Sequence, residues 1–206
     1  MTDFNRIKDL PYSSGLMSQS SWFVEFKKIV QLRHDGKTWE EIRTFCVAEN
    51  YFGAPNENRA KRMYGYLKNR IAPMDEALTA LFLAADLKTQ KLINLMMFLV
   101  SDRLFFEFVN EVYREKIQLG QMVLEDQDGN VFISRKEQQH EEIAGWADKT
   151  KKRLCTNYYN FMTDAGLLKT TDRKRYITPP ILDIALEQYL QENGGEALLR
   201  AITGVI

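Results

Sequence analysis

The residues between Met74 and Ile117 are the most apolar of this sequence. Their middle reads Lys91-Leu92-Ile93-Asn94-Leu95-Met96-Met97-Phe98-Leu99-Val100, then Leu104-Phe105-Phe106-Glu107-Phe108-Val109. The unbroken run extends only from Leu95 to Val100 before Ser101, Asp102 and Arg103 interrupt it, whereas a bilayer crossing takes roughly 20 apolar residues. The stretch therefore has to be covered by the rest of the chain and not by lipid. Leu92, Leu95, Met96 and Leu99 recur at helical spacing, as do Phe105, Phe108, Val109 and Val112, so the pattern predicts two buried helices parted at Ser101–Arg103.

The remainder is ordinary for a folded chain of one large or two small domains, with 45% hydrophobic and 27% charged residues. Cys46 and Cys155 lie apart, without a CxxC or a neighbouring His, and Met1–Leu10 places acids where a signal peptide has its apolar core, so a reducing cytoplasm is the expected compartment. The formal charge is zero, but it is unevenly spread. Residues 20–72 carry 10 Lys+Arg against 6 Asp+Glu, residues 73–128 carry 5 against 10, and residues 129–180 carry 10 against 6. Two basic modules flank an acidic middle. Because encounter depends on local potential and not on total charge, such a chain can still meet a polyanion.

The first basic module reads as three helices after an extended lead-in over residues 1–19. Ser20 or Ser21 can cap the first, which Gly36 stops; Thr38 and Glu41 form a capping box for the second; Asn56 or Asn58 caps a third that reaches Ile71. Short Gly-containing joints make this a helix-turn-helix type unit. In its third helix Ala60, Met63, Tyr64, Leu67 and Ile71 share one face, while Asn58, Lys61, Arg62, Gly65, Lys68 and Asn69 share the other, with no acid among them and with Arg59, Tyr66 and Arg70 on the flank. Arg reads guanine and Asn reads adenine in the major groove, and Lys holds phosphate, so this face suits duplex DNA. A basic surface helix that binds only protein has the same spacing.

The second module begins at Asp126-Gln127-Asp128-Gly129-Asn130. With Glu137 it places oxygen ligands where a calcium loop has them, but Val131 stands where that loop needs Gly, so no metal site is expected. A tight Asp-Gly turn before a short strand, Val131-Phe132-Ile133, is the expected structure, followed by short helices capped from Ser134 and over Glu141–Ala147. Asp148 then caps a long helix. Its face of Lys149, Lys152, Arg153, Thr156, Asn160 and Thr163 opposes Leu154, Tyr158, Phe161, Met162 and Ala165. Gly166 ends it, and a basic β-hairpin carrying Lys169, Arg173, Lys174 and Arg175 follows, which is the order of a winged helix. A last amphipathic helix starts at Thr178-Pro179-Pro180 and stops at Asn193-Gly194-Gly195, and the apolar residues of the closing segment, Leu198, Leu199 and Ile202, should fold back on the core or else mark a partner site.

No catalytic set stands out. His34 and His140 fall in no HExxH pattern, there is no GxxxxGK[ST], GxGxxG or GxSxG, and the acid pairs Glu40-Glu41 and Glu141-Glu142 sit at predicted helix starts, where the helix dipole accounts for them. No enzyme, cofactor or metal is expected.

Several segments in order resemble the BrxA proteins of bacteriophage exclusion (BREX) systems: Tyr12-Ser13-Ser14-Gly15-Leu16, the joint Asp35-Gly36-Lys37-Thr38-Trp39-Glu40-Glu41-Ile42, Asn50 followed by Asn58-Arg59-Ala60-Lys61-Arg62, Phe106-Glu107-Phe108-Val109, and Trp146-Ala147-Asp148-Lys149-Thr150 with Asp164-Ala165-Gly166-Leu167-Leu168. The likeness covers nearly the whole chain. It implies an all-helical protein with two helix-turn-helix units, double-stranded DNA binding, and a place in a phage-defence system with methylation and ATP-dependent components. The expectation is a mainly α protein, monomeric when alone, of three parts: a helix-turn-helix unit over 1–72, a central helical core over 73–128 and a winged-helix-like unit with closing helices over 129–206. Its function would be to bind duplex DNA, alongside other BREX proteins and away from any membrane. The rival readings are a protein-interaction adaptor and a nuclease, the second disfavoured by the lack of clustered ligands.

Overall fold

The computed structural model describes residues 4–205. The apolar stretch forms its centre: α4 (Glu76–Ala84), α5 (Leu87–Ser101) and α6 (Arg103–Phe108), the last widened by a π-helical turn over Val109–Tyr113 before α7 (Arg114–Gln118). From Leu92 to Val100 every residue of α5 is buried. The break falls where the polar residues predict it. Asp102 is extended at φ −141°, and its carboxylate accepts the Phe105 N–H at 2.9 Å, closing one helix and capping the next. No helix of the described residues is long and apolar enough to cross a membrane.

On one side lie α1 (Phe23–His34), α2 (Trp39–Arg43) with a π-helical turn over Thr44–Ala48, and α3 (Glu57–Ile71). The predicted capping box is present, with the Glu41 N–H donating to Thr38 Oγ1 at 3.2 Å and the Thr38 N–H to Glu41 Oε2 at 2.8 Å. Asn56, and not Asn58, caps α3. Neither Ser20 nor Ser21 caps α1. Trp22 occupies that position in the left-handed region at φ 44°, because the residues before it are held by long-range bonds and enter the helix at an angle those bonds dictate.

On the other side β1 (Val123–Leu124) leads into α8 (Asp126–Gln139), α9 (Glu141–Ala144) and α10 (Asp148–Asp164), then β2 (Leu168–Thr171) and β3 (Lys174–Ile177). The sheet is antiparallel in the order β1-β3-β2. The hairpin turns on Asp172 and Arg173, both left-handed at φ 50° and 61°, the pair of conformations that a two-residue type I′ loop requires. Gly166 stops α10 at φ 82° as expected. β1 precedes residue 128 in the chain but pairs with the hairpin beyond it, Val123 opposite Tyr176 and Leu124 opposite Arg175.

Several local expectations fail here. The Asp126 segment is neither a tight turn nor a strand, and Ser134 starts no helix: α8 runs through all of it. The Glu125 N–H donates to Asp128 Oδ2 at 2.7 Å, and Phe132, Ile133 and Lys136 follow at helical spacing on a buried face. Gly129, which looked like a turn residue, is inside the helix because the Tyr159 hydroxyl and Cys155 Sγ occupy the space a Cβ would need. Asp148 is the first residue of α10 and caps nothing with its side chain. The last amphipathic helix, α11 (Ile184–Glu192), starts later than its prolines suggest. Asp183 Oδ1 accepts the Ala185 and Leu186 N–H groups, and Ile181 before it is fully exposed. α12 (Glu196–Thr203) buries Leu198, Ala201 and Ile202 against the central helices, as the closing segment predicts.

Candidate nucleic-acid interface

The exposed face of α10 is built by its neighbours. Leu154, Tyr158, Phe161 and Met162 are buried, and Phe105 stacks on Tyr158 with ring centroids 4.4 Å apart and planes 11° apart. What remains outside is Lys149, Lys152, Arg153, Thr156 and Asn160, all exposed. None of these cations forms an ion pair among the described residues. Lys151, which the periodicity turns inward, is buried and paired with Glu137. Asp164 stands at the C-terminal end of this face.

The hairpin extends the charge. Lys169, Arg173 and Lys174 are exposed, with Arg173 at the turn. Arg175 is different. Its guanidinium lies 4.0 Å over the Tyr159 ring, bonds Asp126 at 2.5 Å, and donates to the Leu124 carbonyl at 3.2 Å. It fastens the hairpin to α10, to β1 and to the start of α8.

The outer face of α3 has the predicted composition with one correction: it is not free of acid. Glu57 lies one turn before Lys61 and pairs with it at 2.7 Å. Asn58, Arg59, Arg62 and Asn69 are exposed, while Lys68 is half-buried with its ammonium 5.7 Å from the Trp39 ring. Arg70 does not line the flank. It is 2% exposed, with its guanidinium 3.4 Å over the Phe98 ring. Phe98 in turn stacks on Phe161 at 4.2 Å, and since two groups this close cannot share one ring face, Arg70, Phe98 and Phe161 form a three-layer column from α3 through α5 to α10. No carboxylate pairs with Arg70 among the described residues, and burial lowers its proton affinity.

What Arg70 holds instead is the lead-in, here a 3₁₀ turn over Gly15–Ser18 followed by extended chain to Trp22. Its terminal nitrogens donate to the Ser21 carbonyl at 2.7 Å, the Ser20 carbonyl at 3.4 Å, Gln19 Oε1 at 3.0 Å and Asn94 Oδ1 at 3.2 Å. From the other side Asn157 of α10, also buried, donates to the Leu16, Met17 and Gln19 carbonyls at 2.7, 3.1 and 3.3 Å. Tyr66 of α3 completes the grip, bonding Ser18 at 2.7 Å and stacking on Trp22. Helical periodicity does not reveal these residues, because it sorts the faces of each helix alone. The one local signal was that Pro11–Trp22 carries no charge at all.

Further along, Tyr12 Oη donates to Glu107 at 3.0 Å and lies 3.0 Å from His140 Nε2, while Glu107 is bound by Arg103 at 2.7 Å and Lys136 at 2.6 Å. Burial and Glu107 push the Tyr12 hydroxyl up to about 12. Cys46 and Cys155 are buried thiols, pushed up by burial to about 12 and about 11. Among the described residues no group of His, Cys, Asp and Glu is placed to hold a metal ion.

Comparison with known proteins agrees along the length of the chain. A family model for BrxA matches residues 10–194. The BREX protein BrxA of Bacillus cereus (strain H3081.97) is 32% identical over 198 residues, covering 96% of this chain and 99% of the relative. A crystal structure of an uncharacterized protein from Magnetospirillum magneticum superposes with a TM-score of 0.81 at 18% identity, over 94% of this chain and 99% of that one, and shows that the fold is shared.

Proposed function

This chain belongs to the BrxA family, a component of BREX phage-defence systems, and from that premise we propose that it is the system's non-catalytic binder of double-stranded DNA. In this reading α1–α3 and β1–β3 with α8–α10 are two helix-turn-helix type modules, the second winged. α10 enters the major groove, the hairpin tip at Arg173 lies on the adjacent backbone, and α3 presents Asn58, Arg62 and Asn69 to a second stretch of the same duplex. The observation that carries it is the exposed row Lys149, Lys152, Arg153, Thr156 and Asn160, whose three cations form no ion pair among the described residues, on a helix whose other face is locked into the core. Cations left without partners are what a phosphate backbone neutralises, and amide and hydroxyl groups between them are what reads base edges. Arg175 drops out of the set offered to DNA, because its charge is paired with Asp126 and its guanidinium is held in place by the Leu124 carbonyl.

Gel-shift and anisotropy titrations with duplex, single-stranded DNA and RNA test this. Duplex should be preferred, with affinity falling steeply as salt rises. Equal, shallow binding of all three would favour an adaptor role within the same defence system, for which Ile181 and Ile184, 99% and 74% exposed, offer a docking edge.

A further inference from the structure

The two basic modules are not joined through the acidic middle alone; the lead-in lies between them. Gln19, Ser20 and Ser21 form one wall of a groove of about 310 Å³ whose other wall is α10, lined by Arg153, Asn160 and Thr163. Two of those three are residues of the row offered to DNA. On its opposite edge the neighbouring Ser18 meets α3 at Tyr66, which lies one turn from Arg62 and Asn69. A charge-free, serine-rich span therefore borders both cationic faces, and it is pinned there by Arg70 and Asn157.

We propose that residues 18–21 are a third contact element, over which the sugar–phosphate backbone of duplex DNA passes from α10 to α3, its phosphates bonded by the exposed Ser20 hydroxyl and by Arg153 across the groove. This rests on the DNA-binding reading above. Three observations converge on it. Serine hydroxyls and main-chain N–H groups are common phosphate donors and carry no sequence preference, which suits a bridge between two reading helices. The span holds no carboxylate that would repel phosphate; the one acid lining the groove is Asp164, at the end of α10. Finally, its backbone is fixed in the free protein by bonds from three separate helices, from Arg70 and Asn94 to the Ser21 carbonyl and from Asn157 to the Gln19 carbonyl, so little conformational freedom is lost on binding. The chemistry selected is a repeating phosphodiester, with the duplex spanning both modules.

The test compares Ser20→Glu with Ser20→Ala and with Gln188→Glu, which adds the same charge on the exposed face of α11. The probe is a labelled duplex of about 30 base pairs, near three helical turns. Ser20→Glu should weaken binding roughly tenfold or more and flatten the log–log salt slope by about 0.9, Ser20→Ala by a few-fold at most, and Gln188→Glu not at all. Melting temperatures fix whether each variant is folded. A second measurement does not depend on added charge. Because Cys46 and Cys155 are buried, Ser20→Cys can be labelled with a photo-crosslinker at that position alone, and it should crosslink to the duplex, as should Lys149→Cys. Crosslinking from 149 without crosslinking from 20, or equal affinity of Ser20→Glu and Gln188→Glu, overturns the strap as a contact while leaving the α10 reading intact. Absence of duplex binding by the unaltered protein overturns both.

Discussion

α3 and α10 are alike in sequence, each a cationic helix at the end of a small helical unit, and the structure separates them. α10 keeps its outward cations Lys149, Lys152 and Arg153 free of ion pairs among the described residues, and is followed by a basic hairpin whose tip is held in a defined turn. α3 has one cation neutralised by Glu57, one half-covered beside Trp39, and one, Arg70, withdrawn into the core. Charge on a helix measures its potential for binding only after internal partners have been subtracted. By that measure, in the proposed DNA-binding role α10 would carry the larger share of phosphate binding, and α3 would supply reading and register with Asn58, Arg62 and Asn69.

The column between them sets the largest expected effect. Phe98→Ala removes the middle layer of the Arg70–Phe98–Phe161 stack and should cost about 3–5 kcal/mol of stability, read by denaturant unfolding. Because it also frees α3 from α10, DNA affinity should fall even where the variant remains folded. A loss below about 1 kcal/mol would mean the two modules are not joined at this point.

Next is Asp102, whose carboxyl burial pushes up to about 7 while the Phe105 and Leu104 N–H groups pull it down. A folded-state value above the ordinary 3.8 means that the folded protein binds this proton more tightly than the unfolded chain. The group's contribution to stability is therefore complete below about 3.8 and is lost as pH rises through about 7. Asp102→Asn keeps the helix cap and discards the titration. It should stabilise the protein at pH 8 by up to roughly 4 kcal/mol, at about 1.4 kcal/mol per pH unit, with the gap to the unaltered protein closing by pH 4. An unchanged gap across that range contradicts the assignment.

The modules themselves come next. Reversing Lys152, Arg153, Arg173 and Lys174 to Glu should reduce duplex affinity on the order of a hundredfold without unfolding the chain, whereas replacing Arg62 and Lys68 by Ala should cost roughly tenfold, in each case because fewer phosphates are neutralised. If the α3 pair costs as much as the α10 set, the two helices share the duplex equally and the asymmetry between them is wrong. The smallest effect is none at all. Millimolar calcium should leave the melting temperature unchanged, because Asp126 and Asp128 lie in α8 and are engaged by Arg175 and Lys116.

Much of the fold was legible in the sequence where its signals were local. The capping box of α2, the break at Ser101–Arg103, the stop at Gly166 and the hairpin after it are each specified within a few residues, and they stand where expected. The errors lie where distant residues decide. Asp126–Asn130 reads as a turn until Tyr159, thirty positions away in α10, is seen to require a glycine in a helix. β1 is too short to show an alternation and exists because β3 pairs with it. Arg70 looked like a flank residue since nothing nearby reveals that its partners are Gln19 through Ser21 and Asn94. The candidate site followed the same rule: the exposed faces were readable from periodicity, but the subtraction of Lys61, Lys68 and Arg175 was not, and the strap that joins the faces gave only its lack of charge.

Whether one duplex is held by both modules, with α10 dominant, is decided by a salt-dependent titration. The unaltered protein, the α10 set, the α3 pair and their combination would each be titrated by anisotropy with a duplex of about 30 base pairs across a range of salt. The unaltered protein should show a steep slope, flattened more by the α10 set than by the α3 pair. The combined loss should exceed the sum of the two on the free-energy scale, because each single variant still keeps the other module to hold the duplex nearby. A combined variant that binds no more weakly than the α10 set alone would show that α3 does not touch the duplex, and a slope unaffected by any of them would show that these faces are not where DNA binds.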